Sequence, residues 1–198
     1  MNETREPKTT SLSEAVSCVA WGYVFLHLDF NLGGINVLPD WVCYALVMHA
    51  LPGLARAERS ALLLRPLAVI LLAVDALMWA LQIFGAAPDL YIVSALCTVL
   101  ALYFHFQLLT NVADIARIDP QRSRSVLRLR NFRTVFVTLL ALPWQPEAMS
   151  WSARDVYLLV TRFAAVILII WTFSALFDVK NHVILGEDGE EKIPGREP

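Results

Sequence analysis

No enzyme motif is present in the 198 residues: GxSxG, HExxH, Walker A and GxGxxG patterns are all missing. Cysteine is scarce. Cys18, Cys43 and Cys97 are scattered through apolar segments with no CxxC spacing and no histidine at ligand spacing, which argues against a structural zinc site. Three lone thiols also do not build a disulfide framework, so they read as small apolar residues. Neither a metal nor another cofactor is expected. Charge is scarce as well, with Asp, Glu, Lys and Arg at 17% of the chain, where soluble domains carry about 25%. No A-x-A site follows the first apolar stretch, which holds Ser17, Cys18, His27 and Asp29. That stretch therefore reads as a retained helix rather than a cleaved leader.

Apolar residues fill the space that charge leaves. Hydrophobic residues make up 57% of the chain and the mean hydropathy is +0.55, which points to one all-α domain that is a polytopic transmembrane helical bundle. The organising stretch is LHLDFNLGGINVLPDW, residues 26–41. Apolar segments lead into and out of it, and between them stand Asn31, Gly33, Gly34, Asn36 and Pro39 with no Lys or Arg. This is the pattern of a helical hairpin whose tip lies on the non-cytoplasmic side. Pro39 suits a first helical position, and Asp40 complements the positive end of the helix dipole. His27, Asp29 and Asn31 alternate, so they share no helical face and make a poor metal set. Asp29 is expected to accept a hydrogen bond that fixes the tip, with Asn31, Pro39 and Asp40 as its structural companions.

Six spans are expected, over residues 12–30, 39–54, 62–84, 90–113, 126–144 and 156–177, arranged as three hairpins. Residues 1–11 precede them, and 178–198 form a polar, acidic tail expected to be mobile. The second span is short, and Pro52-Gly53 is expected to kink or end it. The bases decide the orientation. Arg5 and Lys8 precede the first span, and Arg56, Arg59 and Arg65 separate the second from the third. Arg117, Arg122, Arg124, Arg128, Arg130 and Arg133 separate the fourth from the fifth, and Lys180, Lys192 and Arg196 follow the sixth. With alternating spans, 14 of the 16 bases fall on one side, Arg154 and Arg162 being the exceptions. Basic loops remain in the cytoplasm, so both termini are expected there. Arg128, Arg130 and Arg133 are expected to snorkel to the interface.

Candidate chemistry rests on polar residues at membrane depth. Asp75, midway along the third span, is costly there unless paired, protonated or hydrated. Arg162 in the sixth span is expected within about 3 Å of the same depth, from 1.5 Å rise per residue. The two could form a buried ion pair, which serves either as a clasp between helices or as part of a solute or proton site. Trp79 and Gln82 share a helical face with Asp75. His105 reads as a packing residue or as a proton or ligand group, and Gln107, Thr110, Asn111 and Asp114 as interhelical hydrogen bonds or a vestibule lining. The ligand-binding set is thus Asp75, Trp79, Gln82, His105 and Arg162.

The opening hairpin FLHLDFNLGGINVLPDWVCYALV resembles a recurring opening of small bacterial six-helix membrane proteins. Its pattern is an Asp, a glycine-containing turn, then Leu-Pro-Asp-aromatic and an apolar helix. The resemblance covers about the first quarter of the chain and implies a bacterial inner membrane, with no activity attached. In size, helix number and inward termini the chain is also similar in shape to the substrate-binding subunits of energy-coupling-factor transporters. The expected partners are the lipid bilayer with either a small polar solute or another membrane protein, and not nucleic acid. Two functions stay open: a solute-binding or transport component, and a non-catalytic scaffold or accessory subunit.

Overall fold

The computed structural model describes residues 11–27, 31–32, 35–36, 39–85, 91–141 and 151–191. The fold is all-helical apart from a two-residue ladder. Helix α1, Leu12–His27, opens with a reciprocal cap. The Ser11 hydroxyl accepts from the Glu14 N–H at 3.1 Å, and the Ser11 N–H donates to Glu14 Oε2 at 3.0 Å. Strands β1, Asn31–Leu32, and β2, Ile35–Asn36, pair antiparallel with Asn31 opposite Asn36.

Helix α2, Trp41–Ala57, begins two residues later than proline chemistry suggested. Asp40 is its N-cap, so Pro39 lies outside the helix rather than at its first position. Pro52 does not end the helix, which continues to Ala57. Glu58 then caps a six-residue 3-10 segment, Arg59–Leu64, by accepting from the Ser60 N–H at 3.2 Å. Helix α3, Arg65–Ile83, has proline in its first turn and stops at Gly85, whose φ of 68° is the left-handed conformation glycine tolerates. Helix α4 runs Tyr91–Ile115.

Helix α5, Pro120–Ala141, starts well before the apolar run that suggested it. Asp119 Oδ1 accepts from the Gln121 N–H at 2.9 Å and the Arg122 N–H at 3.4 Å, and Pro120 occupies the first helical position. The arginine run is therefore helical. Helix α6, Trp151–Glu191, does not stop at the polar tail, because residues 178–191 contain no proline to interrupt it. The expected mobile tail is therefore helical as far as Glu191.

Closest packing joins α1 to α2 and α6, α2 to α3, α4 to α5 and α5 to α6, while α3 and α4 touch least. The helices thus form a ring in chain order. Gly22 lets α1 approach α2: a Cβ there would stand 3.3 Å from the Cys43 carbonyl oxygen. The buried side chains gather toward one end, with Leu64, Ala68 and Leu71 of the α3 entry, Phe104 to Ala116 on α4, Val126 and Leu129 on α5, and Leu176 and Val179 on α6. This is the end that carries the arginines. At the hairpin end α3 and α4 diverge, and Leu77, Phe84, Ile92, Leu96 and Val99 are exposed. Three stretches, Arg59–Ile83, Ile92–Ile118 and Ala153–Val183, are long and apolar enough to cross a bilayer.

Threonines in these helices satisfy their hydroxyls locally. Thr98, Thr110, Thr134, Thr161 and Thr172 each donate to the carbonyl four residues back, at 2.7–2.9 Å. Polar density near the arginine end is interhelical. Asn111 Oδ1 accepts from Ser60 and Gln107, and Arg130 donates to Thr110 while its guanidinium lies 4.2 Å from the Phe106 ring centroid. Of the two readings for that polar face, the hydrogen-bonding one describes what these side chains do.

Candidate functional site: a charged cavity at the hairpin end

Because α3 and α4 separate above a filled base, a cavity of about 460 Å³ opens between them. It falls within the range of about 300–1,000 Å³ usual for small-molecule sites. Its floor is aromatic. His105, 2% exposed, lies against Tyr23, Tyr44 and Phe104 with ring centroids 5.2–5.8 Å apart. His105 Nδ1 is 3.1 Å from the Tyr23 hydroxyl, and Tyr23 stands on α1 across the ring. The apolar wall comes from Leu26, Leu71, Val74, Met78, Ala101 and Val137.

Two ionisable groups meet across this space. Asp75 enters from the middle of α3 and Arg133 from α5, and both line the cavity. Arg133 is 7% exposed and its Nε is buried without a hydrogen-bond partner. Its guanidinium stands 5.4 Å from the Tyr23 ring centroid, the one contact that compensates its charge in part. Among the described residues the ion pairs are Arg117–Asp114, Arg122–Asp119 and Arg122–Asp178, so Asp75 and Arg133 do not pair with each other. Asp40 and His27 also contribute to the cavity, at the ends of α2 and α1 nearest the hairpin. His27 Nδ1 is 2.7 Å from the Tyr23 carbonyl oxygen.

Of the residues expected from sequence, the cavity brings Asp75 and His105 together and adds Asp40 from the hairpin set. Trp79 lies elsewhere on α3, edge-on to Trp41 at 6.1 Å. Gln82 is exposed and outside the cavity. Arg162 is exposed on α6 beside exposed Leu158 and Val166, and it forms no ion pair with Asp75. The base in the cavity is Arg133 instead, which also corrects the expectation that it snorkels to the surface. Asn31 belongs to the β-ladder and Pro39 is buried at the α2 entry. Asp29 lies outside the described residues.

Sequence reading missed Arg133, Tyr23 and Tyr44. For Arg133 a signal existed. Val126, Leu129, Arg133 and Val137 recur at helical spacing, and Val126 and Leu129 are buried, so the stripe carries its arginine inward. Chemically, the cavity offers a buried guanidinium, two carboxylates and two imidazoles beside an apolar wall. That set can hold a small polar molecule. Among the described residues no three His, Cys, Asp or Glu converge as a metal set. No family model, curated protein or solved structure matches the chain.

Proposed function

We propose that the chain is a six-span protein of the bacterial inner membrane, both ends cytoplasmic, that binds a small polar solute in the cavity at its hairpin end, as a solute-binding or transport component. The cavity takes the solute from the non-cytoplasmic side. Three helices of sufficient length and hydropathy support the membrane reading. The arginines clustered at one end support the orientation. Helices α1 and α2, with 16 and 17 residues, are short for a span, at about 24–26 Å from 1.5 Å rise per residue. Their packing within the ring supports their crossing with their neighbours. No chemical step is assigned to the site.

The observation that carries the solute reading is Arg133, a buried guanidinium whose Nε has no acceptor among the described residues and which lines an open cavity. A buried charge without a partner costs several kcal/mol, and an arginine serving only helix packing would have been given a carboxylate or carbonyl. The test is thermal unfolding of the purified full chain in detergent micelles. It is run against a set of small neutral, anionic, cationic and zwitterionic solutes. At least one class raises Tm in a saturable way, since a ligand that binds only the folded state stabilises it. The shift is absent in Ala101→Trp, which fills the cavity. A set without any saturable shift, or a shift that survives Ala101→Trp, overturns the proposal.

A further inference from the structure

Asp75 and Arg133 narrow the class of solute, and the narrowing rests on the solute-binding reading above. The two groups have opposite charge and line the same cavity, yet they do not pair. Opposite charges in a low-dielectric interior attract strongly, and side chains able to meet would gain by doing so. These stand on helices that sit on opposite sides of the least-packed part of the ring. The cavity they share has an apolar wall of Leu71, Val74, Met78 and Val137, with Ser94, Thr98 and His105 contributed by α4.

We propose that the cavity takes a zwitterionic solute, an amino acid or a betaine, whose carboxylate is held by Arg133 and whose cationic end lies at Asp75. The charge balance selects this class. A zwitterion offers a counter-charge to both groups at once and adds no net charge to the cavity. A monoanion satisfies Arg133 but leaves the half-buried Asp75 beside added negative charge, and a monocation does the reverse at Arg133. Guanidinium is suited to the carboxylate end because its planar fork matches two carboxylate oxygens. The Tyr23 ring under Arg133 leaves the edge of the guanidinium as the donor face. Asp40, exposed at the α2 entry, gives the mouth of the cavity an acidic group that water screens. The apolar wall suits a compact hydrocarbon body between the two charges.

The experiment compares matched solutes on the full chain in micelles: L-leucine, L-proline and glycine betaine as zwitterions, 4-methylvalerate as leucine without its ammonium group, isoamylamine as leucine without its carboxylate, and 4-methylvaleramide as an uncharged control. Half-saturation of the Tm shift is expected at a concentration at least about tenfold lower for a zwitterion than for either singly charged relative, since leaving buried Arg133 or half-buried Asp75 without a counter-charge costs more than 1.4 kcal/mol, the equivalent of a factor of ten. Arg133→Gln is expected to abolish the zwitterion shift, and Arg133→Lys to retain part of it. Asp75→Asn is expected to bring 4-methylvalerate level with leucine. The wild-type comparison stands even if a variant fails to fold. If 4-methylvalerate, isoamylamine or the amide matches or exceeds every zwitterion, and Ala101→Trp removes the effect, the zwitterion inference is overturned while solute binding survives. If no solute of any charge class produces a saturable shift, both fall.

Discussion

The guanidinium of Arg133 on α5 stands 5.4 Å from the centroid of the Tyr23 ring on α1, and the hydroxyl of that same tyrosine is 3.1 Å from Nδ1 of His105 on α4. One phenol therefore joins three helices of the ring: its face meets a cation and its edge meets an imidazole. The arrangement sets the depth of the cavity. Below Tyr23 the interior is filled by Phe104, Leu108 and Leu109, and above it lies open space.

Tyr23→Phe separates the two contacts. The ring that Arg133 faces is kept, while the buried His105 loses its hydrogen bond. The expected loss is about 1–3 kcal/mol, the usual cost of leaving a buried polar group without its partner. The thermal midpoint of the purified protein is the measurement. A midpoint equal to that of wild type would mean that the hydroxyl adds nothing to the floor.

Gly22 marks a close approach of α1 to α2. Its absent side chain is replaced by the Cys43 backbone, with the carbonyl oxygen 3.3 Å and Sγ 3.4 Å from where a Cβ would sit. Gly22→Leu must push α1 away from α2, and it is expected to cost about 1–3 kcal/mol or more, as overpacking does. Reversible unfolding in mixed micelles reads the loss. Unchanged stability would place the α1–α2 contact elsewhere.

Sequence periodicity made the helices legible because membrane depth imposes a hydropathy pattern. It located ends less well where apolar runs and helix ends diverge. Helix α5 begins at Asp119-Pro120, a cap and a first-position proline that precede five polar residues, and the apolar reading passed over them. Pro52 lies inside α2 although proline usually disrupts an interior turn, because surrounding packing outweighs the local cost. Choosing between Arg133 and Arg162 needed facing as well as depth. Leu158 and Val166, one turn either side of Arg162, are exposed, whereas Val126 and Leu129 behind Arg133 are buried. Asp75 and His105 were legible singly, but only the tertiary arrangement shows that Arg133, and not Arg162, completes the set.

The arginine end has its own fastening, and it responds to pH. Arg122 pairs with Asp119 on its own turn and donates to Asp178 of α6 at 2.9 Å. Hydrogen bonds from the Gln121 and Arg122 backbone N–H groups, together with the Arg122 charge, hold the Asp119 carboxyl below its ordinary range. A carboxyl with a depressed folded value binds its proton more readily in the unfolded chain. Its contribution is therefore complete above the ordinary carboxylate range and disappears as pH falls through the depressed value. Asp119→Ala is expected to lower Tm at neutral pH, with the gap to wild type closing in acid. A gap that stays constant into strong acid would show that Asp119 acts through something other than its charge.

Orientation is tested by single-cysteine labelling at an exposed position in the arginine run. A variant with Cys18, Cys43 and Cys97 replaced by alanine and with Arg124→Cys, placed in intact cells, is expected to resist a membrane-impermeant maleimide until the membrane is opened. Arg124 is exposed near the start of α5, so access is governed by the side of the membrane on which it lies. Labelling from outside in intact cells would invert the bundle and move the cavity mouth to the cytoplasmic side.

Arg133→Met should separate stability from binding. If Arg133 only holds helices together, removing it weakens the protein. The geometry argues for the opposite sign. The arginine gives up a cation–π contact worth about 1–2 kcal/mol, while methionine fills the same space and abolishes the desolvation penalty of an unpaired charge, which is several kcal/mol. The second effect is larger, so Arg133→Met is expected to unfold at a higher temperature than wild type and to lose any solute-dependent shift. A residue that lowers the stability of the fold is retained for what it does in the folded state, a trade-off common at binding sites. Thermal midpoints of the two proteins, each measured with and without L-leucine, decide the matter. A lower midpoint in the variant would make Arg133 a structural strut and remove the main support for a binding cavity.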